Sequence, residues 1–137
     1  MVDKPSVRID YGIVCDDIRQ ENNGKLFIIG VYSGDILLRD FPNTLNLAML
    51  LHGQATADCS IAIEVRYRAE FAEEEPYEVK AQGEMQINNT EITNEFYAPL
   101  PRVPIQCRGP GKLLIAYRID GKRWKPLLKK IIRSLDS

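Results

Sequence analysis

The fold prediction rests on the pattern of one segment, SIAIEVRYRAEF, residues 60–71. Its apolar side chains fall at every second position, with polar or small side chains between them. The apolar set is Ile61, Ile63, Val65, Tyr67, Ala69 and Phe71. Because side chains two residues apart in a strand point to the same face of a sheet, the pattern predicts an antiparallel strand with one buried and one solvated face.

Four further segments extend this pattern. Clean alternation in VRIDYGIVC (7–15) and YEVKAQGEMQI (77–87) predicts two more half-buried strands. TLNLAMLLH (44–52) and KLLIAYRID (112–120) alternate less cleanly, so we expect them near the middle of a sheet, partly covered on both faces. APLPRVP (98–104) must be an edge strand or an extended loop, because proline donates no ladder hydrogen bond.

Turn signals separate the predicted strands. Asn23-Gly24 is the strongest of them, because a type I′ hairpin turn needs positive φ at both central positions. The acidic segment AEEEPYE (72–78) closes a hairpin between the two most regular strands, and Asp120-Gly121 marks another tight turn.

The C-terminal segment has a different period. Its large apolar residues have the spacing i, i+3, i+4, i+7, i+8, i+11 of one helix face, namely Trp124, Leu127, Leu128, Ile131, Ile132 and Leu135. Pro126 suits a first helical turn. The spacing predicts a helix over about 126–135. A strand running from Lys122 into the leucines is the competing interpretation.

Together these patterns predict an all-β fold, a mainly antiparallel β-sandwich of about seven to nine strands with one short C-terminal helix. The length of 137 residues suits a single domain over 1–137. The net charge of −1 disfavours a general nucleic-acid binder, which usually carries a basic excess. No apolar run approaches the ~20 residues that span a bilayer, so we expect no integral membrane segment.

The inside-outside pattern of the first strand shifts along its length. A two-residue Asn-Gly loop would set the pairing so that Asp17 faces Gly30. The apolar residue Ile18 would then share a face with the even-numbered residues of the strand, whereas the apolar residues up to Cys15 are all odd-numbered. Since a β-bulge absorbs such a shift, we predict one at Asp16-Asp17, where Gly30 would allow close backbone approach.

The two aspartates have a structural and a functional interpretation. In the structural one, one carboxylate bonds to backbone N–H groups at the bend and the other pairs with Arg19. In the functional one, Asp16 and Asp17 hold calcium or another hard cation, or contact a protein partner. Further ligands would come from Asp35, Asp40 or Asp58. The ligand spacing follows no ordered pattern, so we expect no metal and no cofactor.

Catalytic signals are weak. The sequence lacks a nucleophile elbow, a phosphate loop, a dinucleotide fingerprint and an H-E-x-x-H motif. His52, the single histidine, ends an apolar run and is expected to be structural or exposed. Cys15, Cys59 and Cys107 are widely spaced and odd in number, which favours free, mostly buried thiols in a reducing cytoplasm. No residue is therefore assigned a catalytic role.

The first quarter of the chain, YGIVCDDIRQENNGKLFIIGVYSGDI (11–36), resembles the N-terminal signature of a family of small, uncharacterised bacterial proteins. In that family a Cys-Asp-Asp triplet is followed by Arg, Glu, Asn-Gly-Lys and Ile-Gly-Val-Tyr. The resemblance extends loosely through PGKLLIAYRIDGKRW (110–124). It implies a bacterial, cytoplasmic, sandwich-like protein. It implies no activity and supplies no catalytic residues.

The C-terminal segment is the second candidate binding region. Residues 122–133 carry six bases and no acid, and we select Trp124, Lys129 and Lys130 as candidate binding residues beside Asp16, Asp17 and Arg19. A basic amphipathic segment can dock on a partner or an anionic membrane, although packing of its apolar face on the core is the simpler interpretation.

The sequence thus predicts a non-enzymatic binding or assembly module. A second copy of the chain is the first partner to test, because its acidic AEEEP segment could attract the basic face. An enzyme with a site built from scattered residues is one alternative, which a deep polar pocket joining His52 to a cysteine or paired carboxylates would favour. A cation-dependent or membrane-surface module is the other.

Overall fold

The computed structural model describes residues 6–71, 74–88 and 95–135. These residues form nine β-strands and no helix. The strands are β1 (Val7–Gln20), β2 (Leu26–Val31), β3 (Ile36–Leu38), β4 (Asn43–Ala55), β5 (Cys59–Phe71), β6 (Tyr77–Ile87), β7 (Glu95–Cys107), β8 (Gly111–Ile119) and β9 (Lys125–Ser134). The predicted all-β class is confirmed.

The strands form two sheets. A four-stranded sheet has the order β2-β1-β4-β7, and a five-stranded sheet has the order β3-β9-β8-β5-β6. Neighbouring strands are antiparallel, except that β3 pairs with β9 in parallel. Buried side chains from both sheets form one hydrophobic cluster, centred on large residues such as Tyr67, Leu47, Met49, Ile105 and Leu113.

The alternating segments lie where the sequence predicts. In β5 the odd-numbered residues from Ile61 to Phe71 are all buried. β4 lies between β1 and β7, and β8 lies between β9 and β5, so both are central strands. The segment with three prolines belongs to β7, which is an edge of its sheet, and the prediction of an edge strand is confirmed.

Two turns follow their sequence signals. Asp120 and Gly121 have φ values of 53° and 68° and connect β8 to β9. Gly24 has the predicted positive φ, 86°. The N–H of Gly24 donates to the carbonyl oxygen of Glu21 (3.0 Å), and that of Glu21 donates to the carbonyl oxygen of Lys25 (2.8 Å). The loop therefore contains three residues, 22–24, and not the predicted two.

The extra loop residue moves the β1–β2 register by one. Cys15 pairs with Val31 and Asp17 with Ile29, so the predicted pairing of Asp17 with Gly30 is wrong. Asp16 and Gly30 lie between these pairs without being ladder partners, and Gly30 has a φ of 68°. The ladder is thus interrupted at Asp16, as predicted, but the predicted β-bulge is wrong, because the register is the same before and after Asp16 and no residue is inserted.

The inserted residue of β1 lies earlier in the strand. Opposite β4 the register shifts between Ile9, which pairs with Gly53, and Tyr11, which pairs with His52. Asp10 is therefore the extra residue. Ile9 is buried, whereas Tyr11 is 45 % exposed, so odd-numbered residues no longer face the core after the bulge.

The predicted C-terminal helix is wrong, because the segment forms β9 between β3 and β8. The register with β8 shifts so that Ile115 pairs with Leu128 and Ala116 with Pro126, which leaves Leu127 as an extra residue. Both leucines then pack against the core. A bulge that packs two consecutive, half-buried leucines against the core interrupts period two and imitates the spacing of a helix.

Candidate functional site

The six residues selected from the sequence lie in separate parts of the structure. Asp16, Asp17 and Arg19 are on β1 near its pairing with β2, and Trp124 directly precedes β9, which contains Lys129 and Lys130.

Asp16 and Asp17 make local structural contacts. The hydroxyl of Tyr32 donates to Asp16 Oδ1 at 2.6 Å. The N–H of Ile18 donates to Asp17 Oδ1 at 2.9 Å, and Arg19 Nε lies 3.5 Å from Asp17 Oδ2. Burial, and then the bond to Asp16, raise the pKa of Tyr32. These contacts fit the structural interpretation of the aspartates.

The cation interpretation receives no structural support. Within 6–71, 74–88 and 95–135, no group of three or more His, Cys, Asp or Glu side chains is positioned to hold a metal ion.

Lys130 also has a structural partner. Its Nζ donates to the carbonyl oxygens of Tyr32 (2.6 Å) and Gly34 (3.1 Å) in the connection between β2 and β3. The ammonium therefore holds this connection against β9, and it is less available to a ligand than the other bases of the segment.

Trp124 lies in a cluster of cations on the five-stranded sheet. The guanidinium carbon of Arg118 is 4.5 Å from the centroid of the indole, that of Arg66 is 4.7 Å away, and Lys80 Nζ is 5.8 Å away. These are cation–π distances. Lys129 and Trp124 line the same cleft, so the structure brings these two selected residues together.

A site that the sequence did not predict surrounds His52. This imidazole is 8 % exposed. Its Nε2 hydrogen-bonds with Glu95 Oε2 at 2.8 Å, and its Nδ1 lies 3.2 Å from Asp10 Oδ2 without hydrogen-bond geometry. Arg8 and Gln54 also donate to Asp10. The histidine is buried on β4 and lies between two carboxylates.

Desolvation raises the pKa of Asp10, but the other contacts outweigh it. Hydrogen bonds from Arg8 and Gln54, together with the charge of Arg8, bring the pKa below its ordinary value. Asp10 therefore stays ionised beside His52 at neutral pH.

Two tyrosines pack on the imidazole. The Tyr11 ring stacks on it at 4.8 Å between centroids, and the Tyr97 ring lies tilted at 4.9 Å. A hydrogen bond with the hydroxyl of Tyr11 raises the pKa of Tyr97. Both rings are more than two-fifths exposed, so the cluster lies at the surface.

An open groove adjoins this cluster. Its volume is about 880 Å³, and its apolar lining includes Tyr11, Ile13, Ile28, Leu50 and Pro99. Glu95 lies at its margin. The groove is mainly apolar and has a few polar groups at its rim, which is a composition typical of binding sites.

Two of the three cysteines are buried thiols. Burial raises the pKa of Cys15 and of Cys107 to about 11, and both are fully buried. The three cysteines are free thiols, and Cys59 is only partly buried. A thiolate is the nucleophilic form of cysteine, so the two buried thiols are poor candidates for covalent catalysis.

Strand β2 provides an unprotected sheet edge. It pairs with β1 on one side and with no other strand among the described residues. Phe27, Ile29 and Val31 are 55 %, 42 % and 53 % exposed. Natural edge strands usually carry charges or prolines that discourage pairing with another chain, and β2 carries neither between Leu26 and Val31.

Most of the chain matches a known protein family. A family of unknown function (DUF6941) matches residues 10–127. No curated protein matches the sequence. The described residues contain no helix long and apolar enough to cross a membrane.

Proposed function

The chain belongs to this family of unknown function (DUF6941), and we propose that it is a non-enzymatic assembly module whose first partner is a second copy of itself. We also propose that it works in the bacterial cytoplasm, on the basis of its free cysteines and its sequence signature. We infer that the two sheets form a sandwich, since side chains from both contribute to one core.

The edge strand β2 carries this proposal. The opposite edge of the same sheet, β7, contains Pro99, Pro101 and Pro104 and cannot extend its ladder freely. β2 has no proline and no charged residue between Leu26 and Val31, and it exposes three large apolar side chains. Addition of a strand to a free edge is a common mode of protein association, in which backbone bonds give affinity and side chains give register.

The side chains of β2 are complementary to themselves. In an antiparallel pair centred on Ile29, each Phe27 would face Val31 of the other copy, and the two Ile29 side chains would meet. Aromatic and β-branched cross-strand pairs of this kind contribute roughly 0.2–1 kcal/mol each. The association would therefore be modest.

Sedimentation velocity over a concentration series tests the proposal. We expect a reversible monomer–dimer equilibrium that the variant Ile29→Lys abolishes, because a charge at the centre of the edge would be desolvated on pairing. The matched control is Leu37→Lys, which places the same charge at an exposed apolar position (45 %) on β3, an edge of the other sheet. A monomer at every concentration, or a dimer that Ile29→Lys leaves unchanged, would contradict the proposal.

A second candidate function rests on His52. Its position between Asp10 and Glu95, beside an apolar groove, favours proton transfer on a bound ligand, and hence an enzyme with a site built from scattered residues. Hydrolysis of a panel of model esters by the wild type and by His52→Gln tests this function. Turnover that disappears in a folded variant would favour it, whereas equal rates would exclude it.

A further inference from the structure

The cations around Trp124 exceed the carboxylates that pair with them. Arg118 makes two bonds to Glu64, at 3.0 and 3.2 Å, and is neutralised. Arg66 is not, because its nearest carboxylate is that of Glu78 at 4.0 Å. The same Glu78 lies 3.4 Å from Arg68 and is therefore shared, while Arg68 Nε also donates to Glu70 at 3.0 Å.

Bases at the margin of the cluster add to this excess. Lys125 and Lys129 are exposed and line the cleft beside Trp124. Lys80 lies over the indole. No ion pair is present for these three lysines among the described residues, so their charges face the cleft or solvent without a fixed counter-ion.

Two donors in the cluster have no acceptor. The Nε atoms of Arg66 and Arg118 are buried, and neither makes a hydrogen bond. A buried donor without an acceptor is costly, so positions of this kind often mark the place of a missing acceptor. Arg66 lines the cleft beside Trp124, so an anion bound there would lie next to one of these two guanidinium groups.

The cleft has room for such a ligand. Its volume is about 580 Å³, and it is lined by Arg66, Arg68, Trp124, Lys125 and Lys129 together with Leu114. The apolar part of this lining would contact the body of a ligand, and the cations would contact its charged group.

We propose that this cleft binds a small ligand that carries a phosphate group. A phosphate carries about −1.5 to −2 charges near pH 7 and three acceptor oxygens, which suits several unpaired cations better than a single carboxylate does. The proposal does not depend on self-association through β2, which belongs to the other sheet.

Trp124 is the single tryptophan of the chain, so its fluorescence reports on this cleft alone. Titration with pyrophosphate at constant ionic strength should give a saturable change in emission. We expect Arg66→Gln and Lys129→Gln each to weaken binding about tenfold. Lys129→Gln changes an exposed side chain and provides the test if Arg66→Gln fails to fold.

The control variant is Lys25→Gln, an exposed base on the β1–β2 hairpin, which should bind pyrophosphate like the wild type. A linear response that sodium chloride reproduces would overturn the proposal. Equal affinity for citrate would overturn the preference for phosphate. A single-stranded oligonucleotide that binds at least about tenfold more tightly than pyrophosphate, and that the same variants weaken, would show a nucleic-acid site in place of a small-ligand site.

Discussion

The contact between Gly30 and Asp16 allows a sharp test of the bend in β1. We consider the variant Gly30→Ala. Gly30 has a φ of 68°, which a residue with a Cβ atom adopts at a cost of about 1–2 kcal/mol. A Cβ atom at this position would also overlap Asp16 Oδ2 and lie 2.7 Å from Asp16 Cγ.

The second effect adds to the first. To relieve the overlap, the Asp16 side chain must move away from the hydroxyl of Tyr32, which donates to it at 2.6 Å. Loss of one such bond costs about 0.5–1.5 kcal/mol at a solvated site. We therefore expect Gly30→Ala to lower the free energy of unfolding by roughly 1.5–3.5 kcal/mol and the Tm by roughly 5–15 °C.

The matched control is Gly24→Ala. Gly24 also has positive φ, 86°, but no atom lies within 4 Å of the position of its Cβ. Urea denaturation should give only the backbone cost, about 1–2 kcal/mol, for this variant. In an Asp16→Ala background, the cost of Gly30→Ala should fall toward that of Gly24→Ala, because only the contact with the Cβ atom of residue 16 at 3.1 Å remains. If Gly30→Ala costs no more than Gly24→Ala, or if the background makes no difference, Asp16 does not fix the bend.

Two further predictions concern the core. Ile132→Ala on β9 should lower the free energy of unfolding by about 2–5 kcal/mol in urea denaturation, because Ile132 is only 1 % exposed. Leu135→Ala, at a position that is 44 % exposed, should change this free energy little, and similar values for the two variants would argue against β9 as a core strand. With a thiol reagent at pH 8, Cys15 and Cys107 should stay unmodified until the protein unfolds, because burial raises the pKa of each thiol to about 11. Rapid labelling of all three cysteines in the native state would contradict this burial.

The sequence predicts strands well where one face is buried along the whole length. β5 and β6 keep strict period two because each packs one uninterrupted face on the core. The pattern fails at bulges. Leu127 is an extra residue in β9, and with both Leu127 and Leu128 packed against the core the apolar positions of this segment acquire the spacing of a helix. Asp10 is an extra residue in β1, but its neighbours Ile9 and Tyr11 are both apolar, so the sequence shows no break there.

The candidate sites depend on partners that are distant in sequence. His52 and Glu95 are 43 residues apart, and β4–β7 pairing brings them together. The pattern of residues within one sequence does not indicate which distant strands pair, so His52 could be predicted only as the end of a buried strand. The sequence predicts Trp124 and Lys129 together because they belong to one basic segment, but Arg66 reaches Trp124 only through the order of the five-stranded sheet.

The parallel pairing of β3 with β9 has a consequence for synthesis of the protein. Ile36 is fully buried, and it pairs with Ile132, which lies 96 residues later (132 − 36). At about 5–20 residues per second, the ribosome adds those residues in roughly 5–20 s. Throughout this interval β3 has no strand to pair with, and the apolar edge of β2 lies beside it in the chain. The nascent chain is therefore open to association with neighbouring chains until its last strand has emerged.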